Sequence, residues 1–224
     1  MRKLWTFGDS YTELFETQHG TLKDYCDWKG GEPLNFSQVI SNELKCDLKC
    51  YGKGGASNRS ILSQYMSVVD EIEPNDVLIF GWTNLSRFRA INHSDEIIDV
   101  VSMGTGIKVP NFSETSINET ILLRNNYVFF TEILEYIKLI KKAQPNNVII
   151  NWTWHSIVGL ENLDIRQEKN IIAKKFYENV FYYDYDNMEK IYEETNNQII
   201  DHHYSENAHI FLAQEFIKHI NNIN

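Results

Sequence analysis

The sequence predicts an α/β protein, a three-layer α/β/α sandwich built on a five-stranded parallel sheet, in one domain spanning 1–224. Three observations carry that prediction. Short apolar runs alternate with longer helical patterns along the chain, the signature of strands joined by helical crossovers. Two of the runs, Asp76–Phe80 (DVLIF) and Asn147–Trp152 (NVIINW), are almost continuously apolar, as strands buried on both faces are. And 224 residues, 42% hydrophobic and 23% charged, suit one domain with a sizeable core.

The elements follow in order. Lys3–Phe7 is a short apolar run ending at a glycine, the first strand. Asn35–Leu44 has helical spacing, with Phe36, Val39, Ile40 and Leu44 on one face. Leu48–Tyr51 reads as the second strand. Ser57–Ile72 is helical again and stops at Pro74-Asn75. Asp76–Phe80 is the third strand, Ile121–Ala143 a long amphipathic helix ended before Pro145, and Asn147–Trp152 the fourth strand. Glu168–Lys175 is helical, Val180–Tyr183 is a fifth, aromatic strand, and helices over Asn187–Thr195 and Glu206–Ile220 finish the chain. One stretch, about 87–118, is mostly polar and reads as an irregular insertion. Loops that long in compact domains are functional or mobile.

Composition excludes several roles. The formal net charge is −10, which argues against a general nucleic-acid binder needing a basic face. The three cysteines, Cys26, Cys46 and Cys50, make no disulfide framework and no zinc spacing, and read as reduced thiols. The opening MRKLWTFGDS has no long apolar run, so neither a signal peptide nor a membrane span is expected, and a cytoplasmic location follows. Export by another route, for example in a virion, stays open. The sequence does not give the oligomeric state.

In open parallel sheets ligands bind at the carboxyl ends of the strands. Four polar segments fall there: FGDSYTE, GKGGASNRS, GWTNLSR and, before the last helix, DHHYSENAH. Gly8 permits a sharp turn that puts Ser10 at the mouth of the sheet; the alternative is that Asp9 or Ser10 caps a following helix. A serine hydroxyl needs a base, and a histidine titrates in the right range. Ser205 has the look of an N-cap for the last helix. A metal set of Asp201, His202, His203 and His209 matches no motif with a known mechanism. Trp82, Trp152 and Trp154 lie near strand ends, where they either stack on a sugar or pack in the core. Arg59 and Arg87 either hold an anionic substrate group or are solvated, and His155 is a lone histidine past the fourth strand.

Phe7-Gly8-Asp9-Ser10-Tyr11-Thr12-Glu13 resembles the first block of the SGNH/GDSL hydrolases, and the three other segments are similar to that family's later blocks, in order. The resemblance implies a flavodoxin-like topology and a serine esterase needing no cofactor. It makes Ser10 the nucleophile, Gly55 (or Gly54) a backbone oxyanion donor and Asn84 a side-chain donor. It makes Asp201 and His203 the acid and base, with His202 as the alternative base. The third block departs from the pattern, with Leu85 where aspartate is usual. His209 falls inside the terminal helix and reads as structural. The implied substrate is a small-molecule or glycan ester, with O-acyl groups on carbohydrate preferred. An O-acyltransferase, or a non-catalytic carbohydrate-binding protein on the same fold, is the alternative.

Overall fold

The structure, a computed structural model, describes residues 2–15, 26, 33–83, 87–91, 97–101, 126–154, 168–183, 188 and 205–223. Its main sheet contains β1 (Lys3–Gly8), β2 (Asp47–Cys50), β3 (Val77–Trp82), β6 (Val148–Thr153) and β7 (Phe181–Tyr182). The order is β2-β1-β3-β6-β7 and every pairing is parallel. The helices are α1 (Phe36–Leu44), α2 (Asn58–Met66), α3 (Asn126–Ala143), α4 (Glu168–Asn179) and α5 (Glu206–Ile223).

Two-residue alternation in the strands builds the three layers. Leu4, Val77, Ile79, Val148, Ile150 and Trp152 face one way, onto Phe36 and Ile40 of α1 and onto Leu212, Phe216 and Ile220 of α5. Trp5, Phe7, Leu78, Phe80 and Trp82 face the other way, onto Ile61 and Tyr65 of α2, onto α3 through Ile133 and Ile137, and onto Phe176 of α4. Burying a core side chain of this kind is worth about 1.5 to 3 kcal/mol, which makes this alternation the main specification of the fold.

Caps set the helix starts. Asn35 begins α1 with a reciprocal capping box to Gln38. Ser57 accepts from Ser60 N–H at the start of α2. Ser205 Oγ accepts from Ala208 N–H at 3.3 Å, so its capping role is realised. In α3, Lys141 and Lys142 occupy the last turn, where positive charge suits the helix dipole.

The insertion is not wholly irregular. β4 (Arg87–Ile91) and β5 (Ile97–Val101) pair antiparallel, Arg87 opposite Val101 and Ile91 opposite Ile97, as a ribbon separate from the main sheet. The β-branched run Ile97-Ile98-Asp99-Val100-Val101 is strand-forming, a local signal outweighed by the polar residues after it. Positions 102–118 lie outside the described residues, as do 121–125 of the expected long helix and nearly all of the helix expected at Asn187–Thr195. Among the described residues, no helix is long and apolar enough to cross a membrane.

Candidate active site

The site is built at the carboxyl end of β1. After Gly8 the chain turns within one residue and folds back, with Asp9 C=O accepting from Thr12 N–H at 2.9 Å and Glu13 N–H at 3.0 Å. Thr12 thereby lies across the ends of two adjacent strands. A Cβ on Gly8 would lie 2.6 Å from Thr12 Cβ, and one on Gly81 would lie 2.6 Å from Thr12 Oγ1, so only glycine fits either place. Ser10 sits in this turn, half-buried.

The residue before it is the best-anchored group in the neighbourhood. Asp9 is fully buried. Its Oδ1 accepts from Tyr11 N–H at 3.0 Å, so Asp9 does cap the turn that holds Ser10. Its Oδ2 accepts from Arg87 Nη1 and from Trp154 Nε1, both at 2.8 Å. Trp154 stacks on Tyr11, with ring centroids 4.6 Å apart, and carries the Arg87 guanidinium over its ring. Arg87 is therefore neither a substrate anchor nor solvated. It is a buried partner of Asp9, because an unpaired carboxylate could not stay buried there. Arg59, in contrast, is exposed at the start of α2.

The loop after β2 lies against the same turn. Tyr51 N–H donates to Thr6 C=O and Lys53 N–H to Gly8 C=O, prolonging the parallel pairing past the strand. Ala56 N–H to Lys53 C=O closes a turn whose third residue is Gly55, at φ 78, the left-handed value a type II turn requires. A Cβ on Gly54 would stand 3.9 Å from Ser10 Cβ. Glu13 Oε2 accepts from Gly54 N–H at 2.8 Å, which commits that amide. Among the described residues nothing accepts from Gly55 N–H. Of the two glycines, Gly55 is the one with a donor to offer.

Two amide side chains of α2, which sequence reasoning missed, hold the strand exits. Gln64 Oε1 accepts from Gly8 N–H at 3.0 Å and its Nε2 donates to Gly8 C=O at 3.1 Å. Asn58 Oδ1 accepts from Thr83 N–H at 2.8 Å and its Nδ2 donates to Thr83 C=O at 2.9 Å. Asn58 thus fixes the backbone one residue before Asn84. Their only advance signal was that polar residues stand on the helix beside the glycine loop.

The other end of the chain arrives at the same place. His209, 2% exposed, packs edge-on to Phe15 and parallel to Phe36, a core role as expected. Glu206 Oε1 accepts from Leu34 N–H at 3.0 Å. The start of α5 therefore lands beside Phe15, Leu34 and Phe36. Asn84, Asp201, His202, His203 and His155 all lie outside the described residues.

Of the tryptophans considered for sugar stacking, Trp82 and Trp152 have no exposed surface. They continue the inward-facing rows of their strands, and that phase excludes them from any ligand. Trp154 has its ring engaged by Tyr11 and Arg87. Among the described residues no cluster could hold a metal ion. Burial pushes the Cys46 and Cys50 thiols above their ordinary range, and Cys50 donates to Thr12 C=O, so both are protonated structural groups.

No protein-family model matches the sequence, and no curated protein matches it. The strand order, with Gly-Asp-Ser at the exit of β1, decides the architecture. The fold is a flavodoxin-like α/β/α sandwich, the architecture that the resemblance to the SGNH hydrolases implies. Among solved structures the chain is similar to protein YXIM of Bacillus subtilis, at TM-score 0.52 and 12% identity, over 99% of this chain and 56% of that one, so it spans little more than half of that protein. It is also similar to a member of the lipolytic G-D-S-L family from Veillonella parvula (TM-score 0.49, 11% identity, 97% of each chain). A third similar structure is an acetyl xylan esterase from Butyrivibrio proteoclasticus (TM-score 0.48, 14% identity, 99% of this chain and 64% of that one). At such identities the likeness concerns the fold alone.

Proposed function

We propose that the chain is a serine esterase that cleaves carboxylic esters through an acyl-enzyme. Ser10 Oγ attacks the ester carbonyl carbon as His203 takes its proton. The tetrahedral oxyanion is met by the N–H groups of Ser10 and Gly55 and by the side-chain amide of Asn84. The intermediate collapses, the C–O bond to the alcohol breaks, and the imidazolium returns the proton to the leaving oxygen. Water, deprotonated by the same histidine, then releases the acid and restores Ser10. Asp201 fixes the imidazole tautomer and stabilises its cation. The residues in these roles supply nucleophile, base and oxyanion donors, and no step calls for a cofactor.

The observation that carries this reading is the pairing of Ser10 with the Gly54-Gly55 turn. Ser10, at a strand exit, lies near Gly54, whose built Cβ would stand 3.9 Å from Ser10 Cβ, and the next residue of that turn, the left-handed Gly55, has a backbone N–H that no described group uses. A donor set in advance where charge develops is worth about 10² to 10³ in turnover. The arrival of α5 beside Phe15, five residues after Ser10, supports the expectation that His203, two residues before the capping Ser205, comes within reach. O-acyl groups on carbohydrate are the proposed substrate class. That choice rests on the family resemblance, since the tryptophans do not contribute.

Hydrolysis of p-nitrophenyl acetate tests the proposal. The wild type turns over. Ser10→Ala and His203→Ala each lose at least about a hundredfold in kcat/KM, whereas His202→Ala stays within about threefold of the wild type. Equal rates in wild type and Ser10→Ala would remove Ser10 from the mechanism.

A further inference from the structure

We infer that Arg87, the first residue of the inserted ribbon, is a positioning residue for the nucleophile, acting on Ser10 through Asp9. The inference rests on the serine-esterase reading and goes beyond it by making the insertion part of the catalytic apparatus.

The geometry is specific. Ser10 lies between two residues whose positions are fixed by one carboxylate. Asp9 carries that carboxylate, and Tyr11 donates its backbone N–H to Oδ1. The other oxygen is held at 2.8 Å by Arg87 Nη1 and at 2.8 Å by Trp154 Nε1. Three strand exits, those of β1, β3 with its insertion, and β6, thus converge on a single side chain next to the nucleophile. Both members of the ion pair are buried, with side-chain exposures of 8% for Arg87 and 1% for Asp9. Water therefore cannot replace a lost partner unless the turn itself moves. Arg87 Nε has no acceptor among the described residues, and among them Asp9 is the guanidinium's counter-ion.

Removing Arg87 leaves the Asp9 carboxylate buried without its counter-ion and, among the described residues, held on Oδ2 by one indole N–H. The carboxylate then turns toward solvent or draws in water, and the 9–13 turn moves with it. Displacing a reacting atom by about 1 Å costs about a hundredfold in rate. The loss falls on the transition state, because Arg87 touches no substrate in this account. It therefore appears in kcat and not in KM. The bond to Asp9 uses a single N–H, so a lysine's ammonium can take it over.

The test compares p-nitrophenyl acetate kinetics of wild type, Arg87→Met, Arg87→Lys and Trp154→Phe, with active sites counted by fluorophosphonate titration. Arg87→Met is expected to lower kcat per titrated site by about 10- to 100-fold with KM within about threefold. Arg87→Lys is expected to recover to within about fivefold of the wild type. Trp154→Phe removes one donor without exposing a charge, and is expected to lower kcat about three- to tenfold. Should Arg87→Met fail to fold, Arg87→Lys and Trp154→Phe carry the test. As a matched control, Trp5→Phe breaks the same kind of indole–carboxylate bond, to Asp76 at the far end of the sheet, and should leave kcat unchanged. Unchanged kcat per site in Arg87→Met or Trp154→Phe overturns the inference while leaving the esterase reading intact. Absence of turnover and of labelling in the folded wild type condemns the esterase reading itself.

Discussion

The two ends of the parallel sheet use one device for two purposes. At the amino ends of the strands, Asp76 is 2% exposed and accepts from Trp5 Nε1 at 2.8 Å, Lys3 N–H at 2.8 Å and Glu73 N–H at 3.1 Å. At the carboxyl ends, Asp9 is 0% exposed and accepts from an indole and a backbone N–H in the same way, with the Arg87 guanidinium as its third donor. Each buried aspartate ties β1 to segments distant in sequence. The groups that bond the Asp76 carboxylate are the Lys3 and Glu73 N–H and the Trp5 indole, none of them a nucleophile. Beside Asp9 there is Ser10, with Gly54 of the glycine turn near it. A buried, multiply bonded carboxylate is thus a structural rivet in this fold, and under the proposed function only its neighbours give one of the two a bearing on catalysis.

That contrast breaks most readily at the two aspartates. Asp9→Asn leaves the Arg87 charge buried without its counter-ion, a loss of about 3 to 5 kcal/mol. A stability loss of that size and a fall in kcat of about a hundredfold are expected together. Asp76→Asn turns an acceptor into a donor facing N–H groups, which costs about 2 kcal/mol, or about 4 to 8 °C in Tm for a chain of this size. Its kcat per folded molecule should equal that of the wild type. Thermal melts paired with active-site-titrated kinetics separate the two outcomes, and a catalytic loss in Asp76→Asn equal to that in Asp9→Asn would abolish the distinction drawn here.

A smaller effect sharpens the comparison at the neighbouring strand exit. Asn58→Ala strands the buried Thr83 N–H and C=O, which Asn58 alone satisfies among the described residues. The expected cost is about 2 to 3 kcal/mol in stability. Turnover should fall about tenfold as the backbone leading into Asn84 loosens, and Asn58→Asp, which keeps one of the two bonds but buries a carboxylate against the Thr83 C=O, should fall at least as far. Urea melts and steady-state kinetics on both variants check it, and full activity in Asn58→Ala would detach Thr83 from the site.

Much of this was legible in the sequence, for reasons tied to periodicity. The runs at Leu4, Leu78 and Ile150 announce strands because two-sided burial demands uninterrupted apolar residues. The position of Gly-Asp-Ser after such a run places Ser10 at the sheet's mouth. The same periodicity, applied to Trp82 and Trp152, assigns them to the core, since they are in phase with Phe80 and Ile150. The partners of Asp9 were not legible, because Arg87 and Trp154 are 78 and 145 residues away and side-chain pairing at that range leaves no local pattern. Asn58 and Gln64 were hidden for a related reason. On a helix they look like polar surface, and only the tertiary fold turns them toward the backbone of another element. The ribbon at Arg87–Ile91 and Ile97–Val101 had a signal in its β-branched residues, masked by the polar sequence that follows.

The central claim is that Ser10 is an activated nucleophile. Reaction of the native protein with a fluorophosphonate, followed by peptide mass spectrometry, tests it most directly. The account predicts one adduct per chain, on Ser10, with labelling slowed at least about tenfold in Arg87→Met and abolished by Ser10→Ala. A folded protein that stays unlabelled at Ser10, or that takes the probe on a different serine, would contradict it.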